Sequence, residues 1–214
     1  MQVQDEASQL ISSLVDPKPG EVVLDVCAGE GIKTTHLAQI MGNTGKIVAM
    51  DVNRRKVDSS RELSRRLGAT IIEPVVHDAT QPPPPDLCGR FDRVLVDVPC
   101  SGLGTLRRNP EIRWHATSEG LRGFPPLQRE ILNRSASYVK KGGIMVYSTC
   151  TIDSAENENV VGGFLDDNPD FECVCPVTVP AALVDERGFF RTFPHLHGTD
   201  GFFGTVLKKK EDTR

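Results

Sequence analysis

The feature that most constrains this chain is an alternation along its length. Short aliphatic, β-branched runs, four of which close on or beside an aspartate, alternate with longer amphipathic stretches. Residues 22–26 (Val-Val-Leu-Asp-Val) read as a buried strand, followed by a glycine-bearing turn and a helix over about 34–41. Residues 46–51 form the second strand, and an amphipathic helix over 53–67 ends at Gly68. Residues 70–76, 93–97 and 143–148 supply three more strands, with helices over about 126–139 and 155–165, and 171–174 and 201–207 supply the last two strands. The prolines at 82–85 mark a loop, and 101–123 reads as irregular and polar, a length that usually carries function. Strands that alternate with helices pair in parallel, with the connecting helices covering both faces. The expected fold is therefore α/β: a seven-stranded, mostly parallel, doubly wound sheet.

Composition sets the frame for that sheet. At 214 residues, with 38% hydrophobic and 25% charged residues, the chain fits one domain with a substantial core. No apolar run reaches the roughly 18–20 residues that span a bilayer, and no signal-peptide pattern opens the chain. A cytoplasmic location without membrane association is expected. Six cysteines occur, none in a CxxC pair, and no histidine cluster has zinc-ligand spacing, so no metal site is expected. The formal net charge is −4, with basic residues gathered at Arg107, Arg108 and Arg113, at Lys140 and Lys141, and at Lys208 to Lys210. The first of these groups follows the most reactive-looking stretch and is the candidate to touch nucleic acid.

Ligands of such sheets sit beyond the carboxyl ends of the strands. There the first turn reads Cys27-Ala28-Gly29-Glu30-Gly31-Ile32-Lys33, whose small residues allow a close approach to a helix N-terminus. Asp51 closes the second strand, about 20 residues on, where a carboxylate accepts ribose hydroxyl protons. Asp78 follows the third strand and is placed to take an adenine amino group. Dinucleotide enzymes share the first two features. The ends of strands four and five carry a stronger signal, Asp97-Val98-Pro99-Cys100-Ser101-Gly102 and Ser148-Thr149-Cys150-Thr151. Both cysteines fall at the ligand edge on adjacent strands. Asp153 or Ser154 is expected to cap the next helix, with Glu156 completing a capping box, so that the helix N-terminus and Lys33 favour a Cys150 thiolate.

These motifs, together with Val3-Gln4-Asp5-Glu6-Ala7-Ser8, Glu156-Asn157-Glu158, Phe193-Pro194-His195 and Gly198-Thr199-Asp200-Gly201-Phe202-Phe203, resemble the Sun/Fmu and NSUN family of RNA cytosine-5 methyltransferases nearly end to end. The resemblance implies a Rossmann-like class I methyltransferase fold, S-adenosyl-L-methionine as cofactor and rRNA or tRNA as substrate. It implies that Cys150 adds to carbon 6 of cytosine, that Cys100 assists release, that Asp97 holds the base edge, and that Lys33 lies near the base and the methionine moiety. The run 27–33 with Asp51, Asp78 and Asp97 is then the cofactor site. DNA cytosine-5 methyltransferases use the Pro-Cys cysteine as nucleophile and need no second one. A non-catalytic homologue is expected to lose a cysteine or Asp97, and both cysteines and that aspartate are present. The family's usual turn, Cys-Ala-Ala-Pro-Gly-Gly-Lys, differs here. Ile32 stands at a usual glycine, and a β-branched residue disfavours positive φ, so either a reduced cofactor affinity or a slightly reshaped turn is expected. The chain opens where the family's catalytic domain opens, without the N-terminal RNA-binding extension of most members. Residues 1–214 are thus expected to form one catalytic domain, monomeric, that holds RNA weakly.

Overall fold

The computed structural model describes residues 2–211. Its elements are α1 (Glu6–Val15), β1 (Val22–Asp25), α2 (Ile32–Ile40), β2 (Lys46–Asp51), α3 (Arg54–Leu67), β3 (Ile72–Val76), β4 (Phe91–Asp97), α4 (Ile112–His115), α5 (Ser118–Arg122), α6 (Phe124–Ser135), β5 (Val139–Thr149), α7 (Glu158–Asp167), β6 (Phe171–Val174), β7 (Phe190–Arg191), α8 (Pro194–His197) and β8 (Phe203–Lys209). The sheet runs β3-β2-β1-β4-β5-β8-β6. The first five strands in that order pair in parallel, and β8 runs antiparallel to β5 and β6.

The seven expected strands make up this path. An eighth, the two-residue β7, pairs with β8 off the path and was not anticipated, because two residues carry no readable periodicity. The helix α1 was also unforeseen. Asp5 caps it by accepting from Ala7 N, and it buries Ala7, Ile11, Leu14 and Val15. The segment 101–123, expected to be irregular, holds the short helices α4 and α5.

Alternation along each strand splits the core between the two faces. Leu24, Val48, Val94 and Val96 join Ile131, Leu132 and Phe164 on one face. Val23, Ile47, Leu95 and Val146 join Ile11 and Leu14 of α1, Leu37 of α2 and Met41 just beyond it on the other. The helix α3 starts where Asn53 Oδ1 accepts from Arg55 N and Lys56 N, and it ends at Gly68 with φ 69°. Strand order reverses between β1 and β4, so the carboxyl ends of β1, β2, β4 and β5 open onto one crevice. Among the described residues no helix is long and apolar enough to cross a membrane.

Candidate active site

The crevice begins at Asp25, the last residue of β1, which is fully buried. Thr34 Oγ1 donates to its Oδ2 at 2.7 Å, while its Oδ1 meets no protein donor. Burial is the main reason that this carboxyl is pushed up to about 7, with the charges of Asp97 and Asp51 adding and Thr34 and Lys33 opposing.

The turn after β1 is held by backbone hydrogen bonds from Ala28 N to Met50 O and from Gly31 N to Ala28 O. Positive φ falls on Gly29 (58°) and Gly31 (85°). Ile32 is the first residue of α2 and takes no positive φ, so its β-branched side chain meets no backbone strain there. Gly31 is required for packing, since a Cβ there would stand 2.4 Å from Ser60 Oγ. Asp51 Oδ2 accepts from Gly29 N at 3.0 Å and its Oδ1 from Asn53 N at 2.8 Å. Thus Asp51 ties the turn to the start of α3.

A cavity of about 320 Å³ lies over this turn, walled by Asp25, residues 27–30, Ile32, Lys33, Lys56 and Asp97. No side chain caps α2, which leaves its first-turn N–H groups free for a ligand. Small side chains, free amides and an unsatisfied buried carboxylate oxygen fit a polar, cationic small molecule such as S-adenosylmethionine. Of the expected cofactor residues, Cys27 to Glu30, Ile32, Lys33 and Asp97 line the cavity, while Gly31 and Asp51 stand behind it; burial pushes the Cys27 thiol up and keeps it neutral. Asp78 stands apart from these walls, accepting from Thr80 N and Thr80 Oγ1, which hold its carboxyl below the usual range. Asp25, the last residue of β1, also lines the cavity, and Lys56 was not expected there because only the folded crevice brings α3 over the first turn. A larger cavity, about 440 Å³, lies between α1, α2 and α3 with Ile32 as the shared wall. It lacks Asp25, Lys33 and Asp97, and we place the chemistry at the smaller one.

At the far wall, Lys33 Nζ lies 2.6 Å from Asp97 Oδ2, and Ser148 Oγ donates to Asp97 Oδ1 at 2.7 Å. Burial works against the Lys33 ammonium, but the charge and hydrogen bond of Asp97 outweigh it and raise its pKa. Register explains the Ser148 contact, since Asp97 and Ser148 are partners across β4 and β5.

One residue past β5, Cys150 Sγ lies 3.2 Å from Cys100 Sγ, and Cys150 N donates to Cys100 Sγ at 3.3 Å. The hydrogen bond from the Cys100 thiol lowers the Cys150 pKa. Burial and Asp97 oppose this and Lys33 supports it, while Cys100 is raised by its bond to Cys150. The expected helix behind Cys150 is displaced. It starts only at Glu158, and Asn157 makes no side-chain cap. Asp153 Oδ1 accepts from Ala155 N within the intervening turn, and Glu156 points inward instead of forming a capping box. The side chains that favour a Cys150 thiolate are thus Cys100 and Lys33, and α7 begins eight residues further on.

The basic group at 107–113 is also partly reassigned. Arg108 donates through Nε and Nη2 to the buried Asp200 carboxylate. Arg107 Nη1 donates to Gly198 O, and its other nitrogen lies 3.7 Å from Asp5. These two arginines fasten the loop after Cys100 to the chain termini. Arg113 remains exposed beside Trp114, which is 80% exposed. Among the described residues no group of three or more His, Cys, Asp or Glu is placed to hold a metal ion.

A family model described as 16S rRNA methyltransferase RsmB/F matches residues 12–208. A Synechocystis protein named "Probable ribosomal RNA small subunit methyltransferase B" is 42% identical over 97% of this chain and 47% of its own length. A Bacillus subtilis protein of the same name is 38% identical, with the same two coverages. The crystal structure of NSun6 from Pyrococcus horikoshii with SFG, an S-adenosylmethionine analogue, is 30% identical at a TM-score of 0.87, covering 98% of this chain and 53% of that one. The chain spans about half the length of the curated relatives it matches. It belongs to the RsmB/F methyltransferase family, with the S-adenosylmethionine-dependent class I fold of its structural neighbours.

Proposed function

We propose that residues 1–214 form a catalytic domain that methylates carbon 5 of a cytosine in RNA, with ribosomal RNA as the first substrate to test. The observation that carries this reading is the pair of sulfurs 3.2 Å apart beside the Lys33–Asp97 ion pair, which itself walls the cofactor cavity. Bound there, S-adenosylmethionine supplies the methyl group. The turn 27–33 and Asp51 would hold it, with Lys33 and Asp97 between it and the cysteines.

In this reading the Cys150 thiolate forms a bond to cytosine carbon 6, and the electron pair displaced from the 5,6 double bond makes carbon 5 nucleophilic. Asp97 holds the base edge near N3 and the exocyclic amine. After carbon 5 has gained a methyl group it loses its proton to a base. The bond from Cys150 to carbon 6 then breaks, restoring the double bond and the thiolate. Cys100, whose pKa is raised so that it carries a proton, hydrogen-bonds the departing sulfur. Two thiols with opposite shifts suit one nucleophile and one donor.

The test mixes each cysteine variant with rRNA transcript and cofactor, followed by denaturing electrophoresis. Cys150→Ala is expected to give neither turnover nor adduct. Cys100→Ala is expected to trap an RNA–protein band that survives denaturation. An adduct with Cys150→Ala and none with Cys100→Ala would reverse the roles and favour the DNA-type mechanism, as would methylation of matched DNA in preference to RNA.

A further inference from the structure

Glu156 is a fully buried carboxylate with no cation paired to it among the described residues. Such a group costs several kcal/mol to bury unless hydrogen bonds compensate it. Its compensation comes from the segment around Cys100. Glu156 Oε2 accepts from Ser101 N at 2.9 Å and from Gln128 Nε2 at 2.8 Å. Gln128, also fully buried, donates with the same nitrogen to Pro99 O at 3.0 Å. The residues on both sides of Cys100 are thus gripped, Pro99 by its carbonyl and Ser101 by its amide. Glu156 is held in turn, since Tyr147 OH donates to its backbone oxygen at 2.6 Å. Oε1 finds no donor.

We infer that Glu156, acting with Gln128, is the positioning residue that holds the Cys100 thiol against Cys150 and so sets the rate of adduct release. The clamp joins the loop after β4 to the turn after β5, and a second tie, Ser101 Oγ to Thr151 Oγ1 at 2.8 Å, runs alongside it. A thiol that drifts by about 1 Å loses on the order of 100-fold in a step that depends on alignment. The inference rests on the proposed covalent mechanism for its consequence, but its geometry can be tested without RNA.

Two measurements separate the two. In the first, Glu156→Ala and Gln128→Leu are compared with Cys100→Ala in the RNA adduct assay. Both are expected to transfer the methyl group in a single turnover, to slow multiple turnover about 10- to 100-fold, and to accumulate the denaturant-resistant band. In the second, diamide oxidises the free protein, taking two electrons and two protons from the Cys100 and Cys150 thiols to form one disulfide and the hydrazine. Peptide mapping then follows that bond, which is expected to form at least about 10-fold more slowly in the two variants. Glu156→Gln keeps an oxygen at the shared acceptor position and is expected to restore both readouts. Normal turnover without adduct in Gln128→Leu, or an unchanged disulfide rate, would overturn the clamp, and Gln128→Leu decides the matter if Glu156→Ala does not fold. If Cys100→Ala itself traps no adduct, the covalent reading fails and the disulfide rate alone judges the clamp.

Discussion

Lys33 Nζ and Asp97 Oδ2 stand 2.6 Å apart although 64 residues separate them in the chain. One comes from the first turn of α2 and the other from the last position of β4, so their contact joins the turn after β1 to the cysteine-bearing edge. Both are largely buried, where Coulombic coupling is less screened than at the surface. The pair acts on Cys150 with opposite signs: Lys33 lowers its pKa and Asp97 raises it, behind the larger effect of the Cys100 hydrogen bond.

That arrangement predicts the reactivity of the thiol. Lys33→Met removes a cation that favours the Cys150 thiolate and leaves Asp97 to oppose it. The pH at which iodoacetamide alkylates Cys150 half-maximally, followed on its own peptide by mass spectrometry, is expected to move up. Cys100→Ala is expected to move it up further, since it removes the larger cause. An unchanged profile in both variants would show that neither group activates Cys150.

Asp25 predicts a pH dependence of stability. Its folded pKa, about 7, lies above its ordinary value of 3.8. Between those values the unfolded chain has released this proton and the folded chain has kept it, so the folded state binds more protons and loses stability as pH rises. The contribution is fully present below 3.8 and gone above about 7. Asp25→Asn, which still accepts from Thr34, removes this slope. Its melting temperature relative to the parent protein is expected to climb between about pH 4.5 and 7.5. A constant difference across that range would mean that Asp25 is ionised throughout.

Much of this was legible in one dimension, and the exceptions share a cause. The aspartates at strand ends and the two cysteines could be placed because a strand's carboxyl end in a parallel sheet is where ligands bind, and strand ends are local information. Glu156 was misread because its spacing from Asp153 matches a capping box, whereas its partners Ser101 and Gln128 lie 55 and 28 residues away. Arg107 and Arg108 looked like nucleic-acid contacts until Asp200, 92 residues beyond Arg108, was found paired to it. Helix α1 packs against α2 nearby but also against β5 and β8, so much of its burial comes from strands far along the chain.

Asp51 supplies a prediction about cofactor affinity. With its two oxygens already fixed by Gly29 N and Asn53 N, the carboxylate is preorganised, and remaining lone pairs are available to ribose hydroxyls. Asp51→Ala is expected to weaken S-adenosylmethionine binding by about 1.5–3 kcal/mol, the range for a hydrogen bond to a charged group. Calorimetry on the folded variant measures it. Unchanged affinity would remove Asp51 from the cofactor site and leave it only the task of tying the turn to α3.

Gly104 marks the crossing that supports Cys150. Its N donates to Cys150 O at 3.0 Å, and its own carbonyl accepts from Gly201 N at 2.8 Å. A Cβ at this position would sit 1.9 Å from Gly201 O and 2.8 Å from Cys150 O, both backbone atoms that cannot rotate away. Gly104→Ala must therefore push apart the loop after Cys100, the closing loop at Gly201 and the main chain of Cys150. Overpacking of this kind costs about 1–3 kcal/mol, read as a lower melting temperature. Turnover is expected to fall more than stability alone explains, because Cys150 moves relative to Lys33 and Cys100. Cofactor binding is expected to hold, since the turn 27–33 lies on the β1–β2 side of the crevice. A variant that loses stability yet keeps full turnover would show that Cys150 is placed by its β5 strand and the Cys100 contact, without help from this crossing.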